Sequence, residues 1–460
     1  MLTKSRPPGS GRSYLEGGKQ SALLLAGLMA LPVFFQVSGS GLSLAPRFSN
    51  ESTGQLILPL FYILSPLLAL TLIFRIRNFQ PPVKITALIF TLFACYTFGI
   101  SWGVITGQIN NEVTRSISRY LQSCIPLFSA LLGIQVATLY RPSERHLWTC
   151  SFVKFFCYFT TSILALYAVQ TLLTGSGSRF SFLADHIGPF YNPKIKRFFP
   201  SLLALAACFF ISIGICRAVN HRRAINIYLI LGMVAIGGTF SFWSRTAVVM
   251  LIFGFITPLF YFKSAAKVAA YLALGGSAFA VGITLLMTSE AEALLSFQRT
   301  INTFAFLLDA GGEENYGDDV RFVRIAFATS EMLSSPFGSG FETHEQYLFP
   351  IADIAVAENG FLDVGVRGGI IAMISLIVLS LRGLAITHSY AKSKNAVAIG
   401  VHSANLALIV GGLPWLHFAT EAYFSSFFWF FLSVTNCTPF SGRKPRMINM
   451  LPMNFTQTSR

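Results

Sequence analysis

Residues 289–363 read SEAEALLSFQRTINTFAFLLDAGGEENYGDDVRFVRIAFATSEMLSSPFGSGFETHEQYLFPIADIAVAENGFLD, and this stretch decides how the rest of the chain is understood. Thirteen of the nineteen acidic residues lie in it, with no lysine and only Arg299, Arg321 and Arg324 as cations. A run this long and this acidic does not cross a bilayer, since each charge at the centre of a membrane helix costs about 2.5–3.5 kcal/mol. The absence of lysine argues against a cytoplasmic loop, because cytoplasmic loops collect Lys and Arg. The stretch is expected to be a folded extracytoplasmic segment, presented by a membrane scaffold.

The flanking sequence supplies that scaffold. Of 460 residues 53% are hydrophobic and only 12% charged, about half the charged share of a soluble domain. The expected fold class is therefore all-α, a polytopic membrane protein. About twelve runs approach the roughly 20 apolar residues a span requires: 21–37, 56–74, 83–104, 121–139, 147–172, 199–218, 224–243, 246–262, 268–287, 364–385, 396–416 and 422–435. The first run follows a basic head but has no clear small-residue cleavage site, so it reads as a membrane helix. Cations concentrate in alternate loops, at Arg75 and Arg77, Arg141 and Arg145, Arg222 and Arg223, Lys263 and Lys267, Lys392 and Lys394, and Arg443 to Arg446. That alternation places both termini in the cytoplasm and the acidic loop outside, between the ninth and tenth spans. The chain then divides into spans one to nine (1–287), the outer loop (288–363), and the last three spans with a cytoplasmic tail (364–460).

The net charge of +15 does not point to nucleic acid, because the cations lie in short clusters at loop ends, where an anionic leaflet attracts them. Membrane lipid is the expected environment. The seven cysteines form no Cys-x-x-Cys pair, which leaves neither a metal site nor a disulfide framework to expect.

Two outer segments are basic against the topological bias: 173–198, with Arg179, Lys194, Lys196 and Arg197, and the tight turn Trp243–Arg245, where Ser244-Arg245-Thr246 meets the next run. Such arginines can snorkel to headgroups, and Arg321 and Arg324 can pair with neighbouring acids. Their convergence on outer segments favours anion binding, because a guanidinium makes two-donor contacts with phosphate. Within the loop, 291–308 and 320–333 have helical spacing, the first suited to the membrane surface. Pro336-Phe337-Gly338-Ser339-Gly340 then forms a turn. Glu358, near the lipid boundary, is a candidate general base. His344 with Glu345 and His417 with Glu421 are further candidate pairs. Asn359 and Asp363 have a simpler alternative role at the entry of the next helix.

Four segments, in order, resemble the O-antigen ligase and Wzy-type polysaccharide polymerase superfamily of bacterial membrane glycosyltransferases. They are Gly188-Pro189-Phe190-Tyr191-Asn192-Pro193 with Arg179 upstream; Ser244-Arg245-Thr246; Arg321 followed by the Pro336–Gly340 turn; and Glu358-Asn359-Gly360-Phe361-Leu362-Asp363 with Gly368-Gly369 beyond. The span count and the large outer loop are also similar. In many members the fourth segment begins His-Asn, and here Glu358 stands in the first position.

The resemblance implies a bacterial inner-membrane enzyme with its active site on the periplasmic face. Donor and acceptor would be glycans on undecaprenyl diphosphate, and other polysaccharide assembly and export proteins are possible partners. Catalytic roles fall on Arg245 and Arg321 for the leaving diphosphate and on Glu358 as base. Arg179, Arg197, Arg324, Asn359, Asp363 and His344 would contact substrate, with His344 the competing base. No cofactor and no metal is expected, since no Asp-x-Asp cluster lies near these arginines. The Asn-Gly-Phe-Leu-Asp form is closer to exopolysaccharide and capsule polymerases. A ligase joining glycan to lipid A core is the first alternative, a lipid-linked oligosaccharide flippase the second, and a non-catalytic interaction subunit the third.

Overall fold

The computed structural model describes residues 18–30, 83–106, 113–173, 195–221, 226–241, 245–261, 266, 269, 270, 273, 316–340, 359–413 and 422–438. These residues form helices and short turns, with no strand among them. In chain order the helices are α1 (18–30), α2 (Val83–Ile105), α3 (Val113–Thr138), α4 (Pro142–Leu173), α5 (Ile195–His221), α6 (Ile227–Ser241), α7 (Arg245–Ile256), α8 (Tyr316–Ser334), α9 (Gly360–Ala391), α10 (Ala396–Gly411) and α11 (Ala422–Cys437). A 3-10 turn, Thr257–Tyr261, prolongs α7.

Four stretches are long and apolar enough to cross a membrane: Lys84–Ile105, Glu144–Ala165, Pro200–Val219 and Gly360–Ala391. The expected span at 56–74 and the surface helix at 291–308 lie outside the described residues, as does 268–287 apart from three positions. The loop helix expected at 320–333 is observed as α8, four residues longer at its start. One boundary moves more. The helix expected at 364–385 begins at Gly360 and runs to Ala391, so the fourth motif segment lies mostly inside it.

Burial separates the centre of the bundle from its rim. In α5, 89% of the Pro200–Val219 stretch is buried, against 28% of Lys84–Ile105 in α2. Cys208, Phe209 and Phe210 of α5 are wholly enclosed, with α6, α7 and α10 packed around them. The Ser403 hydroxyl of α10 donates to the Gly254 carbonyl of α7 at 2.7 Å, which keeps a polar group satisfied in an apolar interior. Helices α4 and α11 meet through aromatic rings, Phe156 stacked on Phe427 at 3.8 Å between centroids and Phe152 tilted against Phe430 at 5.1 Å. Ile371, Ile374, Val378 and Leu381 of α9 are exposed at helical spacing, an apolar stripe of the kind that faces lipid.

The two ends of the bundle can be assigned from its contacts. At one end the Tyr261 phenol hydrogen-bonds the His388 imidazole, and Cys216, Tyr261, Ala391 and Ile399 share a buried cluster. Counting back at 1.5 Å per residue, from Cys216 along α5, from Tyr261 along α7 and from His388 along α9, Arg197, Arg245 and Ile370 lie roughly 24–29 Å away. The starts of α5 and α7 therefore share the opposite end with the Ile370 region of α9.

Candidate functional site at a helix break

The site is built on the first turns of α9. Asn359 has an extended backbone, and its side-chain oxygen accepts from the Phe361 and Leu362 amides at 3.0 and 3.1 Å. These are two of the donors a helix start leaves unpaired, and capping them is worth about 1 kcal/mol. The Gly360 amide donates to the Gly412 carbonyl at 2.9 Å, which ties the start of α9 to the end of α10. Asn359 thus has the helix-entry role; its amide nitrogen is the part of the side chain not used by the cap.

Asp363 is fully buried one turn further on. Its carboxylate holds Arg367, with Nε 3.0 Å from Oδ2 and Nη2 donating to Oδ1 at 3.2 Å. The guanidinium also donates through Nη1 to the Ser123 hydroxyl of α3 at 3.3 Å. Acid before base at i and i+4 is the favourable order on a helix, and Asp363 also suits the positive end of the helix dipole. Asp363 was expected to contact substrate. In the structure its carboxylate engages Arg367, because a buried charge needs an opposite charge close by; the substrate contact belongs to the proposed function. Arg367 was not singled out in the sequence. The signal was present: an Asp and an Arg four apart at the head of an apolar run.

Two residues beyond Arg367 the helix breaks. Gly369 has φ 83° and ψ 174°, outside helical geometry and in a region that only glycine enters readily. The rung that would join the Ile370 amide to the Val366 carbonyl is replaced by two others. Ile370 N–H donates to the Pro336 carbonyl at 3.0 Å, and Ser339 N–H donates to the Val366 carbonyl at 2.8 Å. The Pro336–Gly340 turn is therefore inserted into the backbone ladder of α9. A Cβ at Gly369 would fall 2.4 Å from the Pro336 carbonyl oxygen, and one at Gly338 (φ 94°) 2.5 Å from that of Arg367. Helix α2 closes the other side, where Tyr96 covers Gly368 and Gly99 lies against the Arg367 carbonyl. Phe337 stands edge-on to Phe98 and Trp102, with ring centroids at 5.5 and 5.9 Å.

The third and fourth motif segments are thus brought into direct contact. Arg321 and Arg324 lie one turn apart in α8, the helix that leads into the inserted turn. That helix packs on α9 through Ala328, Met332 and Val366. Arg245 is the first residue of α7 and Arg197 lies in the first turn of α5. Cations at helix starts oppose the macrodipole, so helix stability does not account for either. For these four arginines the backbone is described and the side chains are not. Arg179, His344 and Glu358 lie outside the described residues. Among the described residues no group of three or more His, Cys, Asp or Glu is placed to hold a metal ion.

Compared with protein-family models and with curated proteins, the chain gives no match to either.

Proposed function

We propose that the chain is a membrane glycosyltransferase that polymerises lipid-linked oligosaccharide repeat units into an exopolysaccharide, capsule or O-antigen chain at the outer face of the bacterial inner membrane. One observation carries the reading: the Pro336–Gly340 turn, far from α9 in sequence, is inserted at the break beside Asp363 and Arg367. Two of the four motif segments that resemble the superfamily are thereby joined, with the buried Asp363–Arg367 pair on the same helix just before the break. The starts of α5 and α7, with Arg197 and Arg245 against the dipole, share that end of the bundle.

In the proposed reaction Glu358 takes the proton of an acceptor sugar hydroxyl. The hydroxyl oxygen attacks the anomeric carbon of the donor, and the bond from that carbon to the diphosphate oxygen breaks. The electron pair leaves on undecaprenyl diphosphate. Stabilising that growing charge is the largest task, and preplaced guanidinium groups do it most effectively where water is excluded. Arg245 and Arg321 take this role, with Arg179, Arg197 and Arg324 binding the diphosphate and the sugars near it. The twelve-span architecture, cytoplasmic termini and periplasmic active site belong to this proposal.

A second reading is favoured by the same break. Discontinuous helices that carry charge at membrane depth also form substrate sites in transporters, which makes a lipid-linked oligosaccharide flippase the competing assignment. Purified protein reconstituted with a lipid-linked repeat unit, without ATP, separates the two. A polymerase lengthens the glycan; a flippase moves it across the bilayer unchanged. Movement without lengthening would overturn the polymerase assignment.

A further inference from the structure

The exchange of hydrogen bonds at the break gives the inserted turn a second role. In a continuous helix Ile370 N–H would bond to the Val366 carbonyl; here each partner is taken by the turn, through Pro336 and Ser339. Both arrangements satisfy the Ile370 amide and the Val366 carbonyl; only the engaged one also pairs the Pro336 carbonyl and the Ser339 amide of the turn. Gly369 is the hinge that permits both, because only glycine passes between φ near +80° and helical values at little cost. While the turn is engaged, Gly360–Gly368 is a separate half-helix. It is held by Gly412 at its start, by Ser123 through Arg367, and by α8 through Met332 and Val366.

We propose that Gly369 and Gly338 are positioning residues for the glycosyl transfer. By admitting the turn into the ladder of α9 they fix α8, and with it Arg321 and Arg324, against the half-helix that carries Asp363. This inference rests on the polymerase reading for its functional half and on the backbone geometry alone for its structural half. A misplacement of about 1 Å in a catalytic group costs on the order of 100-fold in rate, so losing this anchor should lower turnover without abolishing donor binding.

The test uses two variants that act from opposite sides of the contact. Gly369→Ala adds a Cβ within 2.4 Å of the Pro336 oxygen and favours a continuous α9; Gly338→Ala adds one within 2.5 Å of the Arg367 oxygen and leaves α9 itself unaltered. Docking is read by a disulfide in the full chain between Met332→Cys and Gly365→Cys. The Met332 Cγ lies 3.4 Å from where a Cβ on residue 365 would stand. Both glycine variants are expected to slow formation of that disulfide at least about tenfold. In the protein without added cysteines, each should lower kcat by roughly 10–100-fold, by more than it raises the KM for the lipid-linked donor that Arg324 helps to bind. An unchanged crosslinking rate in both variants would overturn the coupling. Slowed crosslinking with normal kcat would overturn the positioning role. If the unmodified protein extends no glycan while the crosslinks slow as expected, the polymerase reading fails and the hinge stands.

Discussion

Asp363 and Arg367 hold each other one turn apart, the carboxylate wholly buried and the guanidinium 3.0 Å from it. An exposed pair at this spacing would contribute about 0–1 kcal/mol. A buried pair behaves differently, because removing one partner strands the other charge at a cost of about 3–5 kcal/mol. Asp363→Leu and Arg367→Met are each expected to lose stability on that scale. The double variant Asp363→Leu with Arg367→Met should lose clearly less than the sum, since neither charge is then left alone. Thermal denaturation in detergent measures all three, and simple additivity would show that the two groups are not coupled.

The lysine-free acidic stretch and the basic alternate loops predict opposite compartments for Glu314 and Ser441, the first periplasmic and the second cytoplasmic. Reporter fusions at the two positions check this directly. Equal compartments would remove the topology on which the outer-face reaction depends.

Arg245 and Arg321 should be intolerant even of lysine. A planar two-donor fork matches a diphosphate in a way that an ammonium point charge does not. Each Arg→Lys variant is expected to lower polymer output about tenfold or more, on the scale of about 1.5–3 kcal/mol for a charge-assisted contact. Near-normal output from both would remove diphosphate stabilisation as their role.

The base assignment makes a comparably sharp expectation. Glu358→Gln keeps the shape of the side chain and removes the proton acceptor, so chain extension should fall about 10²–10⁴-fold with protein level and donor binding intact. His344→Ala is the paired control. Extension that survives in Glu358→Gln and is lost in His344→Ala would transfer the role to His344. Loss of donor binding in Glu358→Gln would mark a structural role instead.

Much of the architecture was legible in the amino-acid sequence because it depends on local chemistry. Among the described residues the apolar runs of span length are helices, and Arg321 and Arg324 lie one turn apart in α8 as their spacing implies. Pro336-Phe337-Gly338-Ser339-Gly340 was recognisable as a turn from its glycines and proline alone. The start of α9 was misjudged by four residues because hydropathy begins at Val364, whereas the helix begins at the cap Asn359 supplies.

The helix break and the use of Asp363 were decided only in three dimensions. Gly368-Gly369 inside an apolar run is compatible with an unbroken helix, and nothing local requires φ 83°. The break is stable because Pro336 and Ser339, some thirty residues earlier, supply the backbone partners that α9 gives up. Asp363 reads in the sequence as a helix-entry or substrate residue; only folding buries it, with Arg367 on its carboxylate and Ser123 of α3 beside them. The sequence determines which segments are helical and which residues carry charge. Which buried charge meets which partner, and which turn enters which helix, depends on contacts between distant segments, since only tertiary packing creates the low-dielectric surroundings that make such pairing obligatory.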